Sequence, residues 1–251
     1  MHGHWIWYEL LSHEPARAKA FYEAVAGWHI TPGQTPPLHY GMIAGADGTA
    51  LGGLLPITAE MAASGARPGW VGYLAVEDVD QAIIEVCARG GAVLMPAMDI
   101  PQGRLALLRD SCGAPFYVMR PVMPEGGAGG ASPACGWNEL CASAPAEAIA
   151  FYCDLFGWSE AGAMDLGAMG AYRFLAREGI AFGAVVGLMP GHTQSHWNHY
   201  LRVDGIDAAA AAIAPHGGTL LMGPMQVPGG DWILHGRDAE GGHFCLVSPR
   251  R

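Results

Sequence analysis

Trp7-Tyr8-Glu9-Leu10, with Pro15, Phe21-Tyr22 and Gly27-Trp28 behind it, returns as Trp137-Asn138-Glu139-Leu140, Pro145, Phe151-Tyr152 and Gly157-Trp158 with every internal spacing kept. Further on, Trp70-x-x-Tyr73-x-x-Val76 is echoed by Trp197-x-x-Tyr200-x-x-Val203. Gly90-Gly91 recurs as Gly217-Gly218, and Arg109-Asp110 as Arg237-Asp238. A period of this length is too long for a solenoid repeat and matches a duplicated module of domain size. The chain is therefore read as two related halves.

Each half opens with a strand pattern. In His4-Trp5-Ile6-Trp7-Tyr8-Glu9-Leu10 the alternate residues Trp5, Trp7 and Glu9 share a face, as do Trp137, Glu139 and Cys141 in the second half. A helix follows, with Ser12 and Ser143 as N-cap candidates, Pro15 and Pro145 in the first turn, and Gly27 and Gly157 as stops. Phe21, Tyr22 and Val25, or Phe151, Tyr152 and Leu155, supply its apolar face. Strands are expected at 40–44, 50–57 and 71–76, then at 172–176, 181–189 and 200–203. A second helix in each half ends at the paired glycines, and two more strands close the half, near 104–109 and 116–119, then 232–235 and 244–247. The pattern predicts two β-α-β-β-β units per half: an α+β fold with curved mixed sheets forming cups.

Pro121 to Ala134 is rich in turn formers and divides the chain where the duplication requires. The expected organisation is a module over 1–120, a Gly/Pro-rich linker over 121–134, and a second module over 135–251. The 251 residues are 51% hydrophobic and 14% charged, an ordinary globular balance. No apolar run is long enough to span a bilayer, and Met1-His2-Gly3-His4-Trp5 has no signal-peptide pattern, so a cytoplasmic protein without membrane contact is expected. Six cysteines without a C-x-x-C pair then read as reduced thiols. A net charge of −10 with Lys19 as the single lysine argues against nucleic acid and leaves little scope for Schiff-base chemistry. No nucleophile elbow, phosphate loop or dinucleotide fingerprint is present, so hydrolase, NTPase and dinucleotide readings lack support.

The order W-x-E-L, F-Y, G-W, W-x-x-Y-x-x-V, R-D-x-x-G resembles the vicinal oxygen chelate superfamily, which includes glyoxalase I, bleomycin-resistance proteins and extradiol dioxygenases. It looks closest to the two-module glyoxalase/bleomycin resistance/dioxygenase branch. The resemblance covers nearly the whole chain outside the linker. It implies a fold more than an activity, because one scaffold hosts many chemistries. It also implies metal ligands at four strand positions facing the cup. Three of these fall on Trp7 or Trp137, on Val71 or Asn198, and on Tyr117 or Cys245. The fourth, a carboxylate, would lie within 50–57 or 181–189, which contain no His, Asp or Glu. Such residues do not make a divalent-metal cage. No cofactor is expected, and a divalent metal is disfavoured.

Glu9 and Glu139, two residues past the first vacated position, are the candidate catalytic residues. A carboxylate desolvated beside a tryptophan can serve as general acid/base. The alternative is a structural glutamate that accepts hydrogen bonds from backbone or Arg202. Trp5, Trp7, Tyr73, Tyr117, Trp137, Asn198, Tyr200, Arg202 and Trp232 are the candidate ligand-binding residues, since aromatic walls with few polar groups suit flat apolar ligands. A filled hydrophobic core is the competing account of the same aromatics. His4, His39, His196 and His235 are possible donors to a ligand. The leading expectation is a monomer or homodimer that binds a small apolar or aromatic molecule without a family metal. The alternative is an enzyme of the same scaffold, using Glu9 and Glu139 or an atypical metal held by His4, His39 and these glutamates. A structural or interaction protein with filled cups is the third.

Overall fold

The computed structural model describes residues 1–36, 38–122, 131–167, 170–189 and 193–251. Most of the expected linker, 123–130, lies outside the described residues. The first half contains β1 (Trp5–Ser12), α1 (Pro15–Ala26), β2 (His29–Thr31), β3 (Gly41–Ala44), β4 (Ala50–Pro56), α2 (Ala59–Ala63), β5 (Gly69–Ala75), α3 (Val79–Ala88), β6 (Ala92–Ile100), β7 (Gly103–Arg109) and β8 (Pro115–Pro121). The second contains β9 (Cys135–Ala142), α4 (Pro145–Phe156), β10 (Ser159–Asp165), β11 (Ala171–Arg177), β12 (Ile180–Gly187), β13 (His196–Arg202), α5 (Ile206–Ile213), β14 (Thr219–Gln226), β15 (Trp232–Arg237) and β16 (His243–Ser248).

Two eight-stranded sheets result, ordered β2-β3-β4-β1-β5-β8-β7-β6 and β10-β11-β12-β9-β13-β16-β15-β14. The second order repeats the first, which is the duplication read from the sequence. Both sheets are mixed. In each β-α-β-β-β unit the first strand returns beside the last in parallel, β1 with β4, β5 with β8, β9 with β12 and β13 with β16. The helix supplies the crossover that parallel pairing needs.

α1 and α4 start at prolines, as expected, and end at Gly27 and Gly157 with φ of 69° and 65°. That left-handed geometry carries no Cβ penalty in glycine. The serines are a correction. The N-cap residues are Glu14 and Ala144, neither with a side-chain cap bond. At α1 the Glu240 carboxylate serves the entry together with Ser12: Glu240 accepts from Ser12 Oγ and from the amides of His13 and Glu14 at 2.8 and 3.1 Å, and Ser12 Oγ accepts the Glu14 amide at 3.1 Å. Negative charge at a helix N-terminus is favourable. At α4, Ser195 Oγ accepts from the Ser143 amide at 3.0 Å.

By packing, the chain forms two compact units. Unit one comprises Met1–Ile6, Gly72–Ser132 and Trp137–Asn198; unit two comprises Trp7–Val71, Pro133–Gly136 and His199–Arg251. Each unit takes the front of one repeat and the back of the other. Accordingly α3 packs with α4 in unit one, and α1 with α5 in unit two. No helix among the described residues is long and apolar enough to cross a membrane.

Candidate functional site

The repeated motifs meet in an aromatic clamp, once in each unit. In unit one the Tyr152 hydroxyl donates to Asp110 Oδ2 at 3.1 Å and accepts from Trp197 Nε1 at 2.8 Å. Trp158 stacks on Tyr152, with centroids 5.1 Å apart and planes 10° apart. Asp110 Oδ1 accepts the amides of Cys112 and Ala114 at 2.9 and 2.8 Å, which closes the turn after the R-D pair. In unit two Tyr22 donates to Asp238 at 3.0 Å, Trp70 donates to Tyr22 at 3.0 Å, and Trp28 stacks on Tyr22 at 5.7 Å. Burial pushes both tyrosine hydroxyls well up and lifts both aspartates. Each tyrosine is thus held as a neutral donor. The tyrosine of F-Y, the tryptophans of G-W and W-x-x-Y and the aspartate of R-D are committed to packing and hydrogen bonding within each unit.

The residues with chemical potential lie elsewhere on the same strands. In unit one, Phe174, Ala184 and Glu139 stand side by side on β11, β12 and β9. Trp137, two residues before Glu139, shares their face and is half-buried. Its Nε1 donates to the Tyr172 hydroxyl at 2.8 Å, and that hydroxyl is bonded to Glu139. Glu139 Oε1 also accepts from Asn198 Nδ2 at 3.0 Å, with Cys141 Sγ 3.8 Å away. Burial first, then the Glu139 charge, push the Tyr172 hydroxyl and the Cys141 thiol up. Cys141 is therefore a protonated thiol at neutral pH, unsuited to nucleophilic attack. The arrangement offers a carboxylate set among hydrogen-bond donors, beside a partly open indole. Phe174 completes the wall, edge-on to Trp137 at 6.2 Å.

Unit two carries the counterpart. Trp7 Nε1 donates to the Tyr40 hydroxyl at 2.8 Å. Glu9, 2% exposed, stands beside Gly53 on β4. A Cβ at position 53 would lie 1.8 Å from the Tyr40 oxygen, so the Tyr40 side chain would have to move to accept any residue larger than glycine there. The neighbouring positions are apolar: Leu11 where unit one has Cys141, and Val71 where it has Asn198. A separate cavity of about 560 Å³ in unit two is bordered by Lys19, Glu23, His39, Leu54 and Pro56. Lys19 is half-buried, pairs with Glu23 and donates to the Ile30 carbonyl at 2.6 Å.

The other sequence candidates scatter. Trp5 is core, 3% exposed against Trp158 and Trp197 in unit one. Tyr73 and Tyr117 are buried register partners in unit one, stacked 4.2 Å apart with planes at 14°. Trp232 is half-buried under the Arg251 guanidinium at 4.7 Å, and Arg202 is exposed. His4 is half-buried, and His196 bonds the Gln194 carbonyl at 3.0 Å. Tyr200 meets His235 Nε2 at 2.8 Å in unit two. There His235, His243 and Cys245 place one donor atom each within 4.8 Å of one another. Sequence reasoning missed Tyr172, Tyr40 and His243. For His243 a signal existed: His243-x-Cys245 puts both side chains on one face of a strand.

The metal positions implied by the family resemblance hold residues that do not fit a His/carboxylate cage. The Trp137 indole is bound to Tyr172, the Asn198 amide is committed to Glu139, and Val71 and Tyr117 are buried hydrophobics.

Comparison with known proteins agrees with the strand order. Residues 135–246 match the model for the Glyoxalase/Bleomycin resistance protein/Dioxygenase superfamily. The chain is 32% identical to "Putative glyoxylase CFP32" of Mycobacterium bovis, across 97% of its own length and 94% of that protein. It is 26% identical to the anthracycline biosynthesis protein DnrV of Streptomyces peucetius, across 97% and 92%. Two solved structures share the fold at low identity. They are 2,2',3-trihydroxybiphenyl 1,2-dioxygenase from Sphingomonas wittichii (TM-score 0.68, 12% identity, 99% of this chain and 91% of that one) and the Mn(II)-bound glyoxalase from Novosphingobium aromaticivorans (TM-score 0.66, 18% identity, 100% and 83%). Duplicated sheets, matching sequence and shared architecture agree, and the chain belongs to the glyoxalase/bleomycin resistance/dioxygenase superfamily.

Proposed function

We propose that this protein binds a small, flat, apolar or aromatic molecule against Trp137, with Glu139 and Asn198 as its polar anchors and without the divalent-metal cage of the superfamily. The carrying observation is the half-buried Trp137 ring beside a buried carboxylate whose donors, Tyr172 and Asn198, are already in place. Fixed polar groups in an aromatic wall orient a ligand at little entropic cost. The name of DnrV ties that relative to anthracycline biosynthesis, and anthracyclines are flat polycyclic aromatics. The test is a titration with hydroxylated anthraquinones followed by tryptophan fluorescence. Trp137→Ala should weaken binding by about 1–3 kcal/mol, as loss of a stacked aromatic anchor does. Affinity unchanged by this substitution in a folded protein would defeat the proposal.

A second reading is turnover with Glu139 as general acid/base. It is favoured by the burial of that carboxyl, 9% exposed against Tyr172 and Cys141, and by the word glyoxylase in the name of CFP32. Glu139→Gln separates the two. Retained ligand affinity with abolished turnover selects the enzyme; lost affinity with no turnover in either form selects the binding protein.

A further inference from the structure

The hairpin of β15 and β16 carries a donor set of a different kind. His235 and Cys245 are direct partners across the antiparallel pair, and His243 precedes Cys245 by two on the same face. His235 Nδ1 lies 3.6 Å from Cys245 Sγ. An imidazole nitrogen and a thiolate bound tetrahedrally to one zinc ion, with bonds of about 2.0–2.1 and 2.3 Å, stand about 3.5 Å apart. The spacing therefore already suits a shared ion. The third donor, on His243, lies within the same 4.8 Å cluster, with the two imidazole rings 5.3 Å apart. The remaining nitrogen of His235, Nε2, meets the Tyr200 hydroxyl at 2.8 Å. Ligating histidines characteristically have such an outer partner, which fixes the ring. Cys245 is buried and both histidines are half-buried, so the cluster is reached from the imidazole side.

Two imidazoles and a thiolate are a borderline-soft set. They favour Zn²⁺ over Mn²⁺, Mg²⁺ or Ca²⁺, which prefer oxygen. Three protein donors leave the fourth tetrahedral position to water or an external ligand. We propose that His235, His243 and Cys245 bind one Zn²⁺-class ion, with Tyr200 orienting His235. This site differs in donors from the His/carboxylate cage of the superfamily, and only Cys245 belongs to both sets of positions.

The experiment is titration of chelator-stripped full-length protein with Zn²⁺ against a chromophoric chelator, and with Co²⁺ followed by absorption. One equivalent of Zn²⁺ per chain is expected, with a thiolate-to-cobalt charge-transfer band for Co²⁺. His243→Asn should weaken Zn²⁺ binding at least tenfold. Tyr200→Phe should weaken it about tenfold while keeping the band, as loss of an outer partner does. Cys245→Ser should abolish the band, and Cys87→Ser, at an exposed thiol, should change nothing. Cys245 is buried and its variant can misfold, so the wild-type Co²⁺ spectrum and His243→Asn decide the matter alone. Absence of the charge-transfer band in the wild type, or Zn²⁺ affinity indifferent to His243→Asn, overturns the site.

Discussion

Units one and two use the same clamp and differ in what surrounds their glutamates. Tyr152, Trp158, Trp197 and Asp110 in one, and Tyr22, Trp28, Trp70 and Asp238 in the other, keep the same bonds and nearly the same stacking. Around Glu139 stand Cys141 and Asn198; the positions matching them near Glu9 hold Leu11 and Val71. The clamps hold the fold, so both copies keep them. The glutamate surroundings differ between the copies, polar around Glu139 and apolar at the matching positions near Glu9. On the proposed reading, the polar groups beside Trp137 are the ones that would select a ligand.

The largest effects should show the clamps to be equal. Trp158→Ala and Trp28→Ala, both at well-buried stacked rings, should each cost about 3–5 kcal/mol in chemical denaturation. A large loss for one and a small loss for the other would break the equivalence. Next comes a difference between the units. His199, packed edge-on to Tyr8 in unit two, is pushed down to about 3 by burial, whereas the matching residue in unit one is Gly72. Because the unfolded chain binds this proton near pH 6.5 and the folded one does not, stability should fall as pH drops from about 6.5 toward 3. The contribution of this one group reaches at most about 1.4 kcal/mol per pH unit. In His199→Gln the melting temperature should depend less steeply on pH over that window; an unchanged slope would remove His199 from the account.

Asn198→Val, which writes the unit-two residue into unit one, should cost about 1.5–3 kcal/mol because Glu139 loses its buried amide donor. The reciprocal Val71→Asn tests whether polarity alone carries the difference. If it creates ligand affinity at Trp7, the units differ by that position; if not, the Cys141/Leu11 pair and the strand β4 glycine matter too. The smallest effect belongs to the helix cap. Glu240→Gln should cost about 1 kcal/mol through α1. Cys112→Ala, at the matching turn position, should change stability less, since no carboxylate caps α4 there.

The duplication, both helix entries and the inner strands were legible in the sequence because they alternate or recur with apolar period. The four strands it did not reveal, β2, β6, β10 and β14, are all sheet edges. Little of an edge strand is buried, so β10 reads as Ser-Glu-Ala-Gly-Ala-Met-Asp with six of seven positions exposed and no alternation. The candidate site was half legible. Trp137 and Glu139 were singled out from strand phase and Asn198 from the ligand positions the family resemblance implies; Asn198 bonds Glu139 directly, and Trp137 is linked to it through Tyr172. Tyr172 was not, because its bond to Trp137 spans 35 residues and leaves no trace in local pattern. Ser12 and Ser143 misled as N-caps because the partners at these entries are remote in sequence: Glu240 at α1, 227 positions from His13, and Ser195 at α4, 52 positions from Ser143.

The division of each unit between the two repeats has a practical outcome. Tyr22 and Asp238 are separated by 216 positions, and Tyr152 and Asp110 by 42, on opposite sides of residues 121–134. Hydrolysis of one peptide bond between 122 and 131 would leave two fragments, and both compact units would need both fragments. A nicked chain should therefore elute from a sizing column with the intact one, and fall into two pieces only when denatured.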